Sequence, residues 1–348
     1  MKVLQIGAKN YPPAHGGTER VVYNIVNSIE DVDFHLLVEW EQPQTERIKV
    51  IPKNLGYLGR MKYIYKYAKQ NGIDIIHFHN EKYIPMAILL CFVFRKIVLT
   101  IHGVHWRSPQ FSPILRVAFW MIDVMGTIFL PRMVQCNEHE AKVFGKYIFF
   151  RKTWFVNNGA PVADSIQTEG DILYKDRYVF LGRITPVKNV LSIIEAADKR
   201  KIKVDIYGKI DDVRKKYCDQ VLAAAAKSEY AEYKGEVPYD QVLDTIKKYK
   251  AFLNVSITEG LPLSVLEAAS CGLPLILSNI PYHTSLKFPS VSYVNVKDPD
   301  IPHPDQIKSG AENRQHVIDH FSIENMGREY HKIYHSFNIR QKNIIRKS

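Results

Sequence analysis

Thr258-Glu259-Gly260-Leu261-Pro262-Leu263-Ser264-Val265-Leu266-Glu267-Ala268-Ala269-Ser270-Cys271-Gly272-Leu273-Pro274 reads as a loop, a short helix and a second loop. Pro262 suits a first helical turn, where its missing N–H is not needed, and Gly272 with Pro274 ends the helix about three turns later. From Gly260 to Leu286 the one formally charged side chain is Glu267, on a helical stripe with Leu263, Leu266 and Ser270. A carboxylate on so apolar a face is costly unless a partner meets it. Glu259 stands just before the helix, where orphan N–H groups favour negative charge. The plainer alternative is a helix-start acid and a core Glu bonded to backbone.

Outward from this stretch, short β-branched runs alternate with amphipathic segments along the whole chain, the pattern of parallel α/β layers. Strands are expected near 2–7, 33–38, 48–51, 73–78, 96–102, 132–135 and 153–157, then near 177–182, 203–207, 231–234, 251–255, 274–277 and 292–295. Helices are expected near 18–29, 57–70, 82–93, 112–129 and 138–146, then near 187–200, 211–226, 238–248, 262–271, 304–319 and 322–337. A length of 348 residues exceeds what one core usually spans. The polar stretch 163–176 is the expected linker between two Rossmann-like domains, 1–165 and 166–321.

Composition fits a soluble globular chain, with 46% hydrophobic and 24% charged residues. The net charge of +11 calls for an anionic partner, and +8 of it falls in residues 1–160 (20 Lys and Arg against 12 Asp and Glu). Cys91, Cys136, Cys218 and Cys271 are widely spaced, without a C-x-x-C, as in a reducing cytoplasm. The chain starts directly on a strand, so no targeting segment is expected. Apolar runs 83–94 and 114–130 stop short of a membrane span, the second being interrupted by Arg116 and Asp123.

Several strand ends carry candidate site residues. Gly16-Gly17 opens the first helix and lets backbone approach a phosphate or sugar hydroxyl, although it does not complete G-x-G-x-x-G. His77 and His79 share one face of their strand; a rim position outweighs metal ligation, since no third ligand is near in sequence. His102 stands at the carboxyl edge, followed by His105, Trp106 and Arg107, which could line an acceptor path with His79. In the second half Gly182-Arg183 ends a strand and Lys188 lies at the start of the next helix, so two cations could hold a diphosphate; solvated surface cations are the plainer reading. Gly208 and Gly235 end later strands and permit close approach to a flat base. Asp31-Val32-Asp33 and Asp298-Pro299-Asp300 read as solvated acids.

Gly16-Gly17, His102-Gly103, Gly182-Arg183 with Lys188, Gly208, Gly235 and the Glu259-x7-Glu267 spacing together resemble the retaining glycosyltransferases of the GT-B fold, family four. The resemblance implies two Rossmann-like domains facing across a cleft, the second holding a nucleotide diphosphate sugar and the first the acceptor, with the final helix, 322–348, returning to the first domain. It implies that Arg183 and Lys188 hold the diphosphate, that Glu259 bonds the sugar hydroxyls and that Glu267 bonds the ribose. Gly260, Leu261 and Leu263 would offer amides to sugar or phosphates, and Gly16-Gly17 would close over the diphosphate. His102 would touch the sugar, and Gly208, Gly235 and Val237 would contact the base. No metal and no other cofactor is implied. Asn158-Gly159-Ala160-Pro161 departs from the family's Asn-Gly-Val-Asp, so that acid is missing.

The basic first half bears on the acceptor. Lys62, Lys66 and Lys69 share a helical face with Tyr63 and Tyr67 alongside, and Arg107, Arg116 and Arg132 border a very apolar helix. Such interleaving suits an anionic membrane, and with it a lipid-diphosphate-linked glycan acceptor in cell-surface polysaccharide synthesis at the inner face of the plasma membrane. No nucleic-acid module is present. A catalytically silent sugar-nucleotide-binding subunit would keep Arg183 and Lys188. An NAD(P)-linked oxidoreductase would leave them, and both glutamates, unexplained.

Overall fold

The computed structural model describes residues 1–13, 16–108, 111–147, 153–307 and 309–337. The chain forms two units: residues 1–157 with the segment from Ile323 onward, and residues 158–322. The crossings fall at 157/158 and 322/323 because Ala160 N–H bonds Phe321 O at 2.9 Å and Ala160 pairs with Ser322 as an isolated parallel bridge. The expected linker is also pinned within the second unit: the Gln167 side-chain amide bonds Lys247 O and Tyr249 O, at 2.6 and 2.8 Å.

The first unit holds one parallel sheet of seven strands: β1 (Lys2–Ile6), β2 (Asp33–Val38), β3 (Ile48–Val50), β4 (Ile75–His79), β5 (Ile97–Ile101), β6 (Arg132–Gln135) and β7 (Trp154–Phe155). Its order is β3-β2-β1-β4-β5-β6-β7. Every residue of β4 and β5 is buried, as expected of central parallel strands covered on both faces. The closing helix Ile323–His335 belongs to this unit and packs on helix Gly17–Ser28, close enough that a side chain at Gly327 would strike Ser28.

The second unit repeats the plan with six parallel strands: β8 (Tyr174–Leu181), β9 (Lys203–Tyr207), β10 (Ala231–Gly235), β11 (Tyr249–Asn254), β12 (Leu275–Ser278) and β13 (Val291–Val294), in the order β10-β9-β8-β11-β12-β13. Between β8 and β11 the winding reverses. In such sheets ligands bind outside the carboxyl ends of the two strands that flank this switch point. The loops after these strands, 182–188 and 255–262, carry the cations and the first acid of the candidate site.

All thirteen expected strands are present. Helices 190–200 and 215–227 start later than expected because short 3-10 turns, Pro186–Lys188 and Asp212–Arg214, precede them. The expected helix 304–319 is divided into a 3-10 turn at Pro304–Gln306 and a helix at Ala311–His320. Gly310, just ahead of the second piece, packs so closely on Leu273 that a Cβ there would lie 2.2 Å from that residue's backbone. A four-residue helix, Pro281–Thr284, was not expected.

Candidate functional site

In the second unit the two switch-point loops are stitched together by Ile257 N–H to Val187 O at 2.8 Å. This bond places Lys188 against Glu259, with Nζ 2.5 Å from Oε1 and side-chain exposures of 14% and 9%. Ser256 Oγ lies 2.6 Å from the same Oε1. Burial would raise the Glu259 pKa, but Lys188, His283 and the Ser256 hydroxyl outweigh it and hold the carboxyl below its ordinary value. Glu259 is therefore an anion in the resting protein, and Lys188 neutralises it.

Arg183 stands exposed on the loop after β8 and makes no ion pair among the described residues. Two cations thus flank one loop, one engaged and one open. Glu267 lies within helix Leu263–Ser270 at 1% exposure, the buried carboxylate expected there. The side chains of Leu261 and Leu263 are buried at the start of that helix, which leaves their backbone as what they can offer a ligand. Gly208 requires glycine: at φ 158° its Cβ would sit 1.7 Å from Gly182 O, so the ends of β8 and β9 touch backbone to backbone. Gly208 N–H bonds Gly235 O at 2.8 Å, which joins the ends of β9 and β10. Val237, just beyond, lines a cavity of ≈ 230 Å³ with Tyr207, Glu236, Gln241 and Tyr249.

Sequence reasoning passed over three residues here. Ser256 braces Glu259. Ser278 Oγ donates to Ser256 O at 2.7 Å and continues the network to His283, which is fully buried. His283 Nδ1 lies 3.0 Å from the carbonyl oxygen of Ser278, and a carbonyl only accepts, so Nδ1 carries the proton and Nε2 the lone pair. Nε2 is buried with no hydrogen-bond partner among the described residues. Burial holds the ring neutral with its pKa pushed down to about 4, Glu259 opposing the shift. A lone His in Pro281-Tyr282-His283-Thr284 carries no motif; only the fold brings it beside Glu259.

In the first unit Gly16 sits at φ 96° ahead of helix Gly17–Ser28, with the Glu19 carboxylate over it. His77 and His79 are not rim residues: both are 0% exposed, and both ring nitrogens of each are hydrogen-bonded. Their strand lies at the centre of the sheet, and the closing helix covers the face they occupy. His79 is thereby placed behind His102, its Nδ1 3.0 Å from His102 Nε2, and His102 is half-buried at the end of β5. The following loop is clamped by two buried glutamates, also passed over: Glu81 accepts from His105 N–H and pairs with its Nδ1 at 2.5 Å, and Glu140 accepts from Val104 N–H at 3.1 Å. Arg116 Nε donates to Trp106 O at 2.7 Å, while Arg107 is exposed and reaches His139. Burial raises the Glu140 carboxyl to about 8. Among the described residues one group has metal-like ligands close together, Asp31, His331 and His335. Its carboxylate already accepts from His331 Nε2 at 2.9 Å.

Two Rossmann-like parallel sheets, the second with Arg183, Lys188 and the Glu259 carboxylate on its switch-point loops, define the class: a GT-B architecture. Comparison with known proteins agrees. Sucrose-phosphate synthase from Thermosynechococcus elongatus superposes with a TM-score of 0.82 at 13% identity, covering 97% of this chain and 99% of that one. Anabaena HepE, in complex with UDP and glucose, superposes at 0.78 with 13% identity, covering 97% and 100%. Residues 168–286 match the family described as glycosyl transferases group 1. Among curated relatives, the Escherichia coli UDP-Gal:alpha-D-GlcNAc-diphosphoundecaprenol alpha-1,3-galactosyltransferase is 25% identical over 80% of each chain. The Xanthomonas oryzae GDP-mannose:cellobiosyl-diphosphopolyprenol alpha-mannosyltransferase is 21% identical over 92% of this chain and 88% of its own. The chain has the GT-B fold, and the match of residues 168–286 in its second unit to the group 1 family supports a glycosyltransferase.

Proposed function

We propose that the protein transfers a sugar, with retention, from a nucleotide diphosphate sugar to a lipid-diphosphate-linked glycan at an anionic membrane surface, in cell-surface polysaccharide synthesis. The observation that carries the donor half is the Lys188–Glu259 pair at the switch point. A donor diphosphate would draw Lys188 away and recruit the open Arg183, a point charge and a fork on one anion. Glu259, released from its cation, would accept hydrogen bonds from the sugar hydroxyls, and Glu267 from the ribose. Val237 and the turn at Gly208 and Gly235 would face the base, and Gly260, Leu261 and Leu263 the sugar or phosphates. From the first unit, His102 would meet the sugar and Gly16-Gly17 the diphosphate.

In the reaction the bond from the anomeric carbon to phosphate breaks with its electron pair going to the phosphate oxygen. The acceptor hydroxyl oxygen bonds the same face of the carbon, and its proton passes to that oxygen. Negative charge grows on the leaving diphosphate as the sugar becomes oxocarbenium-like, so fixed cations in a dry site lower the barrier without any metal in this scheme.

The acceptor half rests on helix Pro113–Phe129. No described helix is long and apolar enough to cross a membrane. This one is turned inside out: Asp123 is fully buried, while Ile114 (82% exposed), Val117, Met121, Met125 and Phe129 face outward. Phe92 and Val93, at the end of the neighbouring helix, are also exposed, next to Arg95 and Lys96. A soluble protein rarely leaves so much apolar surface bare. An in-plane helix with basic neighbours, and with Lys62, Lys66 and Lys69 exposed on helix Tyr57–Gln70, suits the headgroup boundary of an anionic leaflet. Two relatives named for diphosphate-linked polyprenol acceptors support the same class of substrate. The test is transfer by purified protein from UDP-galactose and GDP-mannose, in parallel, to a polyprenol-diphosphate-linked sugar. Product with retained anomeric configuration is expected; donor binding without transfer or hydrolysis would favour a silent subunit.

A further inference from the structure

Seven side chains inside the first unit form one unbroken hydrogen-bonded chain that ends on His102. It runs from Tyr330 OH to Thr100 Oγ1 (3.0 Å), to His77 Nε2 (2.8 Å), through that ring from Nδ1 to Tyr334 OH (2.8 Å), and on to Gln5 Nε2 (3.0 Å). From Gln5 Oε1 it continues to His79 Nε2 (2.8 Å) and from His79 Nδ1 to His102 Nε2 (3.0 Å). Every member except His102 is buried. The His79 and His102 rings are stacked, 17° from coplanar. β1, β4, β5 and the closing helix each contribute, so the chain joins the returning segment at Tyr334 to the carboxyl edge of the sheet.

Donor and acceptor roles in such a chain are not independent. Gln5 donates through Nε2 to Tyr334 OH and accepts through Oε1, so His79 carries its proton on Nε2. His79 Nδ1 is then an acceptor, and His102 must donate to it from Nε2. Tyr334, having accepted from Gln5, donates to His77 Nδ1, and His77 Nε2–H donates to Thr100. One orientation of one amide therefore sets the tautomer of three imidazoles.

We propose that this chain is a positioning device: Gln5, His79 and Tyr334 hold His102 as the Nε2–H tautomer, so that Nδ1 offers a lone pair to a hydroxyl of the transferred sugar. This rests on the reading above that His102 meets the sugar. Its structural half, the tautomer, can be tested without any turnover. Burial drives all three rings toward the neutral form, which the chain requires. It also gives the two central histidines a purpose that a plain apolar core would not need.

The test is two-bond proton–nitrogen correlation on the full-length protein labelled with 15N-histidine. His79 and His102 are each expected to show a protonated Nε2 and a lone-pair Nδ1. A wild-type His102 protonated on Nδ1 overturns the proposal. Tyr334→Phe and, from the opposite side of the chain, Gln5→Met are expected to give mixed tautomers at His79 and His102. Both should lower kcat at least tenfold with donor KM within twofold, a split that general loosening of the core would not produce. Pure Nε2–H tautomers with kcat within twofold of wild type in a folded variant also overturn it. Absence of transfer from any donor by the wild type would count against the proposed function and leave the tautomer result to decide the positioning claim.

Discussion

Lys188 Nζ lies 2.5 Å from Glu259 Oε1, so the cation proposed for the donor diphosphate and the acid proposed for its sugar are each other's partner in the resting protein. The pair keeps an interior carboxylate neutralised. Lys188→Ala leaves Glu259 charged and nearly buried; losing one partner of a buried pair typically costs about 3–5 kcal/mol. That variant is expected to melt at a lower temperature and to lose about 10²–10³ in kcat, the size of one electrostatic contact to the transition state. Glu259→Gln leaves the Lys188 ammonium without its carboxylate instead; it is expected to melt lower as well, by less because Lys188 is the more exposed partner, and to lose turnover. Melting curves and initial rates on the two variants check both statements.

The pH dependence of stability has two parts of opposite sign. His283 and His102 have folded pKa values near 4, below the ordinary 6.5, so the unfolded chain binds the extra protons between those values. Their stabilisation is complete above pH 6.5 and is lost as pH falls, at up to about 1.4 kcal/mol per pH unit for each. Glu140 runs the other way: its folded pKa is raised to about 8, so stability is lost as pH rises from about 4.5 to 8. Glu140→Gln can still accept from Val104 N–H but has no proton to lose. Its stability relative to wild type is expected to climb steadily between pH 5 and 8 in urea titrations; a pH-independent difference would contradict this.

The sheets were legible because central parallel strands such as Ile97–Ile101 are continuous apolar runs, and the switch-point loops because cations, glycines and Glu259 stand directly after strands. What stayed hidden depends on contacts remote in sequence. His283 acquires meaning only through Ser278 and Ser256, and Glu81 and Glu140 only through the amides they hold. His77 and His79 were placed at a rim because two polar residues on a strand end usually face water. Tyr330 and Tyr334, some 250 residues further on, cover them instead. In sequence Asp123 interrupts the apolar run 114–130; in the fold it is fully buried, which leaves the outer face of the helix apolar.

That outer face yields a prediction of its own. Ile114→Glu with Met121→Glu places two charges on it without touching the buried side of the helix. Flotation of the double variant with anionic liposomes is expected to fall at least tenfold, while transfer to a short-chain, water-soluble acceptor stays within twofold. Wild-type flotation should weaken with salt, since each nearby Lys or Arg contributes about 1 kcal/mol that salt screens. Equal flotation of the two proteins would show that this helix does not meet the membrane.

Because fixed cations supply the charge in the proposed transfer, EDTA is expected to leave the rate within twofold. Asp31→Asn, which removes the carboxylate between His331 and His335, is expected to do the same. A rate that collapses on chelation and returns with a divalent ion would assign the diphosphate to a metal instead.

The most direct test of the central claim is calorimetric titration of UDP- and GDP-sugars into wild type, Lys188→Ala and Arg183→Ala, taken to saturation. The account predicts that one nucleotide sugar binds the wild type and loses at least tenfold in affinity in each variant, with the free nucleoside affected much less than the diphosphate. Equal affinity for that donor in all three proteins would contradict it, because the phosphates would then be held elsewhere.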